Sequence, residues 1–340
     1  MSPPFILDGM LTNQELGELL ARKAEVEKGH WQKALKKAAR RTLTWPVDAH
    51  RLWAQAQPLQ SLEGVGPVLA RLMAEWFENP PPVGEPDPLR ARFITWSMLS
   101  HSWKARGDLQ MHTVWSDGSS EISEMAEAAR ARGYDYIAIT DHAGGLKIAN
   151  GLSQERLALQ AEEIAELNRR DPEFVILRSV EANLAPDGSI DVPQTQELDL
   201  VLACFHSRLR LSEDQTQRYL AALRNPKVHI LGHPRGRIYN FRLGLRADWA
   251  QVFDLAAELN KAVEIDCFPD RQDLDVATLE LARQAGCLIS LGTDAHAAHQ
   301  LHFMELGLEA AWRAGIPEHR ILNFKSAAEI KSWAHTLNET

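Results

Sequence analysis

The chain has 340 residues, of which 45% are hydrophobic, and it carries a formal charge of -9 at pH 7. Its length exceeds that of one average domain, and no apolar run approaches the roughly 18 residues of a membrane span, so we expect no membrane partner. The three cysteines are widely spaced and form no Cys-x-x-Cys pair. This argues against disulfide frameworks and zinc fingers and indicates a reducing, cytoplasmic location.

The negative charge lies almost entirely in the C-terminal part of the chain. Residues 1–95 hold 12 Lys and Arg against 11 Asp and Glu, whereas the remainder holds 25 against 35. An acidic catalytic half suits hard divalent cations, which prefer carboxylate ligands. It does not suit nucleic-acid binding over the whole surface, so any contact with nucleic acid is expected to be local.

The first predicted domain, residues 1–78, is helical. One of its helices, at about residues 31–43, carries a dense set of basic side chains. Within residues 59–72, the turn Gly64-Val65-Gly66 joins two helical stretches, and Pro67 occupies the first position of the second one. This pattern predicts a helix-hairpin-helix motif, so we expect residues 1–78 to bind DNA.

The hairpin also predicts how DNA would be held. Backbone amides in a Gly-x-Gly turn and at the start of the next helix can point at a phosphate without reading base sequence. The alternative is that the turn only joins two helices and that the basic residues form a solvated face. The candidate DNA contacts are the two glycines of the turn and four basic residues of the helix at about residues 31–43: Gly64, Gly66, Lys33, Lys36, Lys37 and Arg40.

Residues 79–104 are predicted to be a proline-rich linker and a bridging segment. Five prolines lie within residues 79–88, and prolines at this density cannot continue a helix and keep a segment extended. The apolar residues that follow, including Phe93 and Trp96, indicate either a bridging helix or a packing segment.

A strand–helix alternation runs through the second predicted domain, residues 105–335. Seven short apolar runs are separated for the most part by amphipathic helical stretches, which is the pattern of a parallel sheet closed into a barrel. The sequence therefore predicts an α/β fold, a (β/α)7 barrel preceded by a small all-α domain. The runs end in side chains of the kind that bind metals: His112, His142, Glu181, His206, His233, Asp266, and Asp294 with His296.

The positions of these side chains predict a metal cluster. In parallel barrels the C-terminal strand ends meet at one mouth, where catalytic residues come from several strands. Imidazole nitrogen and carboxylate oxygen suit Mn, Zn or Fe, and so many ligands need two or three ions. Divalent ions roughly 3.5–4 Å apart favour phosphoryl transfer, because they activate water and neutralise the leaving oxygen. The candidate ligands are His112, Asp117, His142, Glu181, His206, His233, Asp294 and His296.

Other interpretations remain open for single residues. A histidine that ends no strand is expected to be an ordinary core or surface residue. Asp266 can be a metal ligand, a hydrogen-bond acceptor behind the ligands, or an ion-paired residue of the barrel. Cys204 and Cys267 are expected to be small core residues.

A phosphoesterase also needs cationic side chains for its substrate. A guanidinium group offers two parallel donors that grip a pair of phosphate oxygens, although each arginine could equally form a salt bridge or face solvent. The arginines near the strand ends are the candidates: Arg208, Arg235, Arg237 and Arg271. We expect Asp117, His206 and Arg237 to act on the reacting groups.

The strand-end motifs follow one another in a fixed order. They are Gly107–Gly118, Ile139–His142, Val180–Asn183, Phe205–Ser207, Gly232–Arg237, Phe268–Arg271 and Thr293–His296. Together they resemble the polymerase-and-histidinol-phosphatase (PHP) family, above all the PHP domain at the C-terminus of bacterial family-X DNA polymerases. The resemblance covers about residues 105–335. The first 90 residues are similar to the helical domain of those polymerases, but no room remains between residues 78 and 105 for the polymerase palm.

This resemblance implies a trinuclear Mn, Zn or Fe site in a distorted (β/α)7 barrel, held by the eight candidate ligands. One position departs from the family pattern. The first motif usually reads His-x-His, and here it reads Gln110-Met111-His112. Because an amide oxygen is a weaker, uncharged ligand, we expect one metal to bind weakly. Alternatively, Gln110 stands behind the ligands and the site still fills.

The sequence thus predicts a metal-dependent phosphoesterase that acts on DNA 3′ ends, as a 3′–5′ exonuclease or a 3′-phosphatase in DNA repair. DNA or another phosphorylated substrate would be its partner, together with a separate polymerase or repair protein. Two alternatives are a small-molecule phosphomonoesterase of the histidinol-phosphatase type and a DNA-binding scaffold whose barrel has lost hydrolysis.

Overall fold

The computed structural model describes residues 10–192 and 197–338. Proximity between Cα atoms divides the chain into two compact units. The helical unit comprises the residues up to Ser100 together with Ile238–Leu243, and the barrel unit comprises His101–Arg237 and the residues from Gly244 onward. Among the described residues, no helix combines the length and the apolar character that a membrane span requires.

In its described part, the helical unit consists of four α-helices around an apolar core. The helices are α1 (Asn13–Val26), α2 (Gly29–Arg41), α3 (Ala49–Ala54) and α4 (Pro67–Glu78). A capping box begins α1: the Thr12 side chain accepts from the Glu15 amide, and the Glu15 carboxylate accepts from the Thr12 amide. Leu16, Leu20 and Met73 are fully buried between the helices.

The predicted hairpin is only partly helical. Its second helix begins at Pro67 as expected, with Gly66 as the N-cap. The first stretch forms a single 3-10 turn at Leu59–Ser61, so the prediction of a full helix there is wrong. Pro58 fixes the backbone before this turn, and Gly64 redirects the chain after it with φ +82°. The segment between Pro58 and Gly64 is long enough for one helical turn only.

The bridging segment is a packing segment rather than a helix. Its only helical stretch in the described residues is the 3-10 turn at Trp96–Met98. Arg90 in this segment is buried, and its guanidinium lies 2.8 Å from the carboxylate of Glu18 and 2.9 Å from that of Glu25. Both carboxylates belong to α1, so these ion pairs attach the segment to that helix.

Seven parallel strands form the sheet of the barrel unit, which confirms the predicted fold class. They are β1 (Gly107–Asp108), β2 (Tyr136–Ile139), β3 (Val175–Asn183), β4 (Leu200–Cys204), β5 (Ile230–Leu231), β6 (Ala262–Asp266) and β7 (Leu288–Gly292). Each strand pairs with the next one along the chain. The segment after β7 also meets the segment after β1, because the Asp294 amide donates to the Gln110 carbonyl at 3.0 Å. The barrel is therefore nearly closed.

Within the described residues, a helix follows every strand except β3. The described helices of this unit are α5 (Ile122–Ala131), α6 (Gln154–Arg170), α7 (Thr216–Arg224), α8 (Trp249–Glu258), α9 (Val276–Ala285), α10 (Met304–Arg313) and α11 (Ala327–Asn338). The strands read as nearly continuous apolar runs because they are buried. Ile330 and Ala334 of α11 join Leu177 of β3 and Leu202 of β4 in one buried cluster.

Candidate metal centre

The predicted metal ligands come from the C-terminal ends of the strands and the loops that follow them. Glu181 lies within β3, two residues before its end. His142, His206 and His233 come two or three residues after β2, β4 and β5, and Asp294 comes two residues after β7. Because all the strands are parallel, these side chains reach the same mouth of the barrel.

Glu181 lies at the centre of the cluster. Its Oε1 is 2.6 Å from His206 Nε2 and 2.9 Å from His233 Nε2. Its Oε2 is 3.1 Å from His112 Nε2 and 3.9 Å from His142 Nδ1. A carboxylate whose two oxygens face different imidazoles is suited to bridge two cations.

Two further carboxylates complete the cluster. Asp117 lies 3.6 Å from His142 Nε2 and 3.5 Å from His296 Nε2. Asp294 Oδ1 lies 2.9 Å from His112 Nε2. Asp294 and His112 are buried, whereas the side chain of Asp117 keeps 33% of its surface exposed. The cluster therefore has a buried floor and opens to solvent on the Asp117 side.

These residues fit divalent metal ions. Four overlapping groups of His, Cys, Asp or Glu each bring their ligand atoms within 4.8 Å of one another, and Glu181 belongs to three of the groups. The Nδ1 atoms of His112 and His142 are buried and make no hydrogen bond with any described residue. Buried polar atoms without partners are costly, and cations among them would satisfy several at once. Imidazole and carboxylate donors suit Zn, Mn and Fe.

The carboxylates of the cluster are ionised in spite of their burial. Burial alone would raise the pKa of Glu181, but the neighbouring imidazoles hold it well below its ordinary value. Burial acts in the same way on Asp294, yet Arg271 and His112 keep its pKa far below normal. The pKa of Asp117 is also lowered, because two histidines outweigh its burial. The ionised form is the one that binds cations.

The imidazoles differ in their protonation. Burial by itself lowers the pKa of each, but Asp294 and Glu181 raise the pKa of His112 well above its ordinary value, and Glu181 raises that of His233 to about 9. For His206 burial prevails and the pKa is lowered. Because metals bind neutral imidazole, an ion must displace a proton from His112 and His233 but not from His206.

Gln110 touches the cluster from the segment after β1. Its Nε2 donates to Glu181 Oε2 at 2.9 Å, and its Oε1 is buried and has no hydrogen-bond partner among the described residues. With the amide in this orientation, the nitrogen of Gln110 and not its oxygen faces Glu181. Its predicted role as a weak ligand stays a prediction.

Of the four candidate phosphate-binding arginines, Arg271 contacts a predicted metal ligand, Asp294. Its guanidinium lies against Asp294 Oδ2 and 3.5 Å from Asp266 Oδ2. The other carboxylate oxygen of Asp266 accepts from the Phe268 amide at 2.8 Å. Asp266 thus lies beside Arg271 and accepts a backbone hydrogen bond, while its burial and the nearby Asp294 raise its pKa well above its ordinary value. Among the described residues it belongs to no group of potential metal ligands, which favours the role of an acceptor behind the ligands.

The other candidate arginines have different surroundings. Arg235 and Arg237 lie 2.6 and 3.4 Å from Asp275 Oδ2. Arg237 is buried, and it would have to share or leave Asp275 to grip a phosphate, so its predicted action on the reacting groups stays a prediction. Arg208 is exposed, two residues beyond His206.

Three residues at the centre are missed by the sequence-based ligand set. Asn183 contacts a ligand directly, since its Oδ1 lies 2.6 Å from His206 Nδ1. Glu264 is buried and accepts from the His233 amide at 2.7 Å. Cys204 belongs to a buried apolar cluster, as expected, and its Sγ also lies within 4.8 Å of a ligand atom of Glu181. Glu264 could have been found, because alternate residues of a strand share a face and Glu264 lies two positions before Asp266.

The predicted DNA contacts lie close together in the helical unit. The basic residues of α2 are spaced i, i+3, i+4 and i+7 and share one exposed face: Lys33, Lys36, Lys37 and Arg40. Arg41 at the end of α2 lies 2.8 Å from Glu63, the residue before Gly64. A side chain at Gly66 would meet no atom of the described chain within 4 Å, so the start of α4 is open.

Comparisons with known proteins concern the barrel. The PHP domain matches residues 108–267. Over 231 residues the chain is 40% identical to the DNA polymerase/3′-5′ exonuclease PolX of Bacillus subtilis, a match that covers 67% of this chain and 40% of that protein. Over 232 residues it is 31% identical to the probable phosphatase YcdX of Escherichia fergusonii, covering 65% of this chain and 90% of the phosphatase. This chain thus spans less than half the length of the polymerase.

A solved structure is also similar. It is histidinol phosphate phosphatase from Lactococcus lactis, complexed with zinc, L-histidinol and phosphate. The match has a TM-score of 0.44 and 17% sequence identity, and it covers 61% of this chain and 94% of the phosphatase chain.

Proposed function

The chain belongs to the PHP family, and from this premise we propose that it is a metal-dependent phosphoesterase that processes DNA 3′ ends in DNA repair. The reaction would be that of a 3′–5′ exonuclease or a 3′-phosphatase. In broader terms the chain is a hydrolase of phosphate ester bonds, the reaction class common to the exonuclease and the phosphatase that it resembles.

The observation that carries this proposal is the position of Glu181. Its two oxygens face His206 and His233 on one side and His112 on the other, at 2.6 to 3.1 Å. Glu181 and the remaining ligands would hold two or three ions of Mn, Zn or Fe. When bound, such ions supply an activated water molecule and neutralise charge on the leaving oxygen.

The protein's own side chains would orient the substrate. Asp117, His296 and His206 are the most exposed of the predicted ligands, at 33%, 28% and 17% of their side-chain surface, so a phosphate group would enter from their side. Arg271 lies against the ligand Asp294 and would stabilise negative charge on the non-bridging phosphate oxygens. On the opposite side of the cluster, Asp294 and His112 are buried.

The helical unit supports DNA as the substrate. Its exposed basic face on α2 and the open start of α4 together suit a phosphate backbone, which is recognised by charge and by backbone amides. The family-X polymerases that the sequence resembles carry a polymerase palm between the helical domain and the barrel, and residues 78 to 105 leave no room for it at that position. A separate polymerase or repair protein would therefore act on the product.

A second candidate is a small-molecule phosphomonoesterase of the histidinol-phosphatase type. One observation favours a phosphatase over a polymerase-type enzyme: the match covers 90% of the probable phosphatase YcdX but only 40% of the polymerase PolX. The third possibility, a scaffold without activity, is disfavoured because eight candidate ligands converge at one mouth.

A substrate panel with Mn²⁺ tests the proposal. The substrates are DNA with a 3′-phosphate, DNA with a 3′-hydroxyl, an abasic duplex and histidinol phosphate. His233→Ala and Asp294→Ala should abolish activity, whereas His335→Ala, at an exposed histidine of α11, should retain it. Preferential hydrolysis of histidinol phosphate, without salt-sensitive binding to gapped DNA, would favour the second candidate instead.

A further inference from the structure

The ligand His206 is held from behind by a short chain of polar groups. The Oδ1 atom of Asn183 lies 2.6 Å from His206 Nδ1, on the side of the ring opposite the cluster. The Nδ2 atom of Asn183 donates to Asp191 Oδ2 at 2.5 Å, and its backbone amide donates to Asp191 Oδ1 at 2.8 Å. Both oxygens of Asp191 therefore hold Asn183.

This arrangement determines which way the Asn183 amide points. An ionised carboxylate only accepts hydrogen bonds, so the NH₂ group of Asn183 must face Asp191 and its oxygen must face His206. An amide oxygen can only accept, so His206 Nδ1 must carry the hydrogen. In a neutral ring this leaves the lone pair on Nε2, which lies 2.6 Å from Glu181 Oε1. Two acceptors this close repel each other unless a cation joins them.

We propose that Asn183 and Asp191 are positioning residues that fix the ring orientation and the tautomer of His206, so that its Nε2 lone pair points into the metal cluster. This inference rests on the proposed function, because it assumes that His206 is a metal ligand. Groups that hydrogen-bond the far nitrogen of a ligating histidine typically change metal affinity about 10- to 100-fold when they are removed.

Asp191 also reaches the loop that carries a second ligand. Its Oδ2 accepts from the Gly145 amide at 2.9 Å, three residues after His142. A Cβ atom at Gly145 would lie in direct collision with Asp191 Oδ2, so the close approach of this loop requires glycine. One carboxylate thus connects the end of β3 with the loop after β2.

The inference is tested by zinc binding, without any measurement of catalysis. Zinc per chain is measured by elemental analysis and affinity by competition with a chromophoric chelator, for the full chain and for Asn183→Ala, Asp191→Ala and the double variant. Asn168→Ala is the matched control, because Asn168 makes two hydrogen bonds with the backbone of Ile176 in the same β3 region and none to a ligand.

We expect each single variant to lose about 10- to 100-fold in affinity for one ion. Because the two residues act in series, we expect the double variant to lose much less than the product of the two single losses. Asn168→Ala should lower the Tm and leave zinc affinity unchanged.

Three results would overturn the inference while leaving the proposed function intact. One is unchanged zinc affinity in Asn183→Ala and Asp191→Ala. Another is an equal loss in Asn168→Ala, which would mean that these residues only stabilise the fold. The third is a double variant whose loss equals the full product of the single losses, which would mean that the two residues act independently. A wild-type chain that binds no zinc or manganese would overturn the proposed function and this inference together.

Discussion

Glu181 Oε1 lies 2.9 Å from Nε2 of His233, a residue 52 positions later in the chain. Burial by itself lowers the pKa of His233, and the ionised carboxylate overcomes this effect and raises it to about 9. The same carboxylate lies at the centre of the predicted metal cluster. Protons and metal ions therefore compete for this site.

In metal-stripped protein, this pair makes stability depend on pH. Folding raises the pKa of His233, so its stabilising contribution is complete below its ordinary value of 6.5 and is lost as the pH rises through about 9. We expect the Tm of chelator-treated protein to fall across this range, and to fall less in His233→Gln. Circular dichroism melts at successive pH values provide the measurement. A Tm that rises over this interval would contradict the assignment.

Replacing Glu181 by Gln keeps its shape and removes its charge. Without the Glu181 carboxylate, the imidazoles around it lose their common partner, so we expect at least one zinc ion fewer per chain. Hydrolysis should fall more than about 100-fold, beyond the effect typical of residues behind the ligands. Glu163→Gln is the control, since that carboxylate accepts from Trp115 Nε1 at 2.8 Å outside the cluster. Full zinc content in Glu181→Gln would refute the bridging role.

The barrel and the convergence of its ligands could be predicted from the sequence because both follow from a simple periodicity. Each apolar run ends in a histidine or an acid, and parallel strands bring such ends together, as for Glu181 and His206. The contacts behind the ligands could not be predicted in this way. Asn183 and Asp191 meet through a loop whose path no periodicity specifies. Pairing of Arg235 with Asp275 likewise depends on the relative position of two loops.

The hairpin shows a different limit of sequence patterns. Gly66 and Pro67 mark the start of α4 correctly, because a proline at the first helical position has a direct steric reason. The same pattern predicts a helix in the stretch before them. Leu59 and Leu62 are indeed buried, but one 3-10 turn suffices to bury them. Burial of apolar residues does not by itself distinguish a helix from a turn.

Gln110→His restores the histidine that the family pattern has at this position. Imidazole is a stronger ligand than an amide oxygen, so we expect the weakest ion to bind more tightly and the zinc content to rise. Gln110→Leu, which can neither ligate nor donate to Glu181, should lower zinc affinity. Elemental analysis after dialysis against limiting zinc distinguishes the two variants. Equal zinc content in the wild type and Gln110→His would mean that Gln110 stands behind a site that already fills.

Reversing two charges on the basic face of α2 should weaken DNA binding. The double variant Lys36→Glu/Lys37→Glu removes two expected phosphate contacts, so the slope of log affinity against log salt should decrease by about 2. Arg169→Glu/Arg170→Glu changes the net charge equally at the end of α6 in the barrel unit. Binding to gapped DNA across a salt series gives both slopes. Similar losses in the two variants would indicate a general charge effect instead of a local contact.

Gly66→Ser separates the stability of the hairpin from its binding to DNA. Gly66 has an extended backbone with φ -89°, and a new Cβ would meet nothing within 4 Å, so serine is accommodated without strain. Serine is a better N-cap than glycine by roughly a few tenths of a kcal/mol, because its hydroxyl accepts from an amide of the first turn. The Tm should therefore stay equal or rise slightly.

DNA affinity should nevertheless fall in this variant, because the serine side chain and its cap hydrogen bond occupy the amides that would face a phosphate. Gly64→Ser serves as the contrasting variant: at φ +82° any side chain is strained, so it should lower the Tm by an amount worth about 1 kcal/mol. Melting curves measure the stability of both variants, and DNA titrations measure their affinity. If Gly66→Ser binds DNA as tightly as the wild type, the glycine turn only joins two segments of the chain, and the phosphate contact must lie elsewhere.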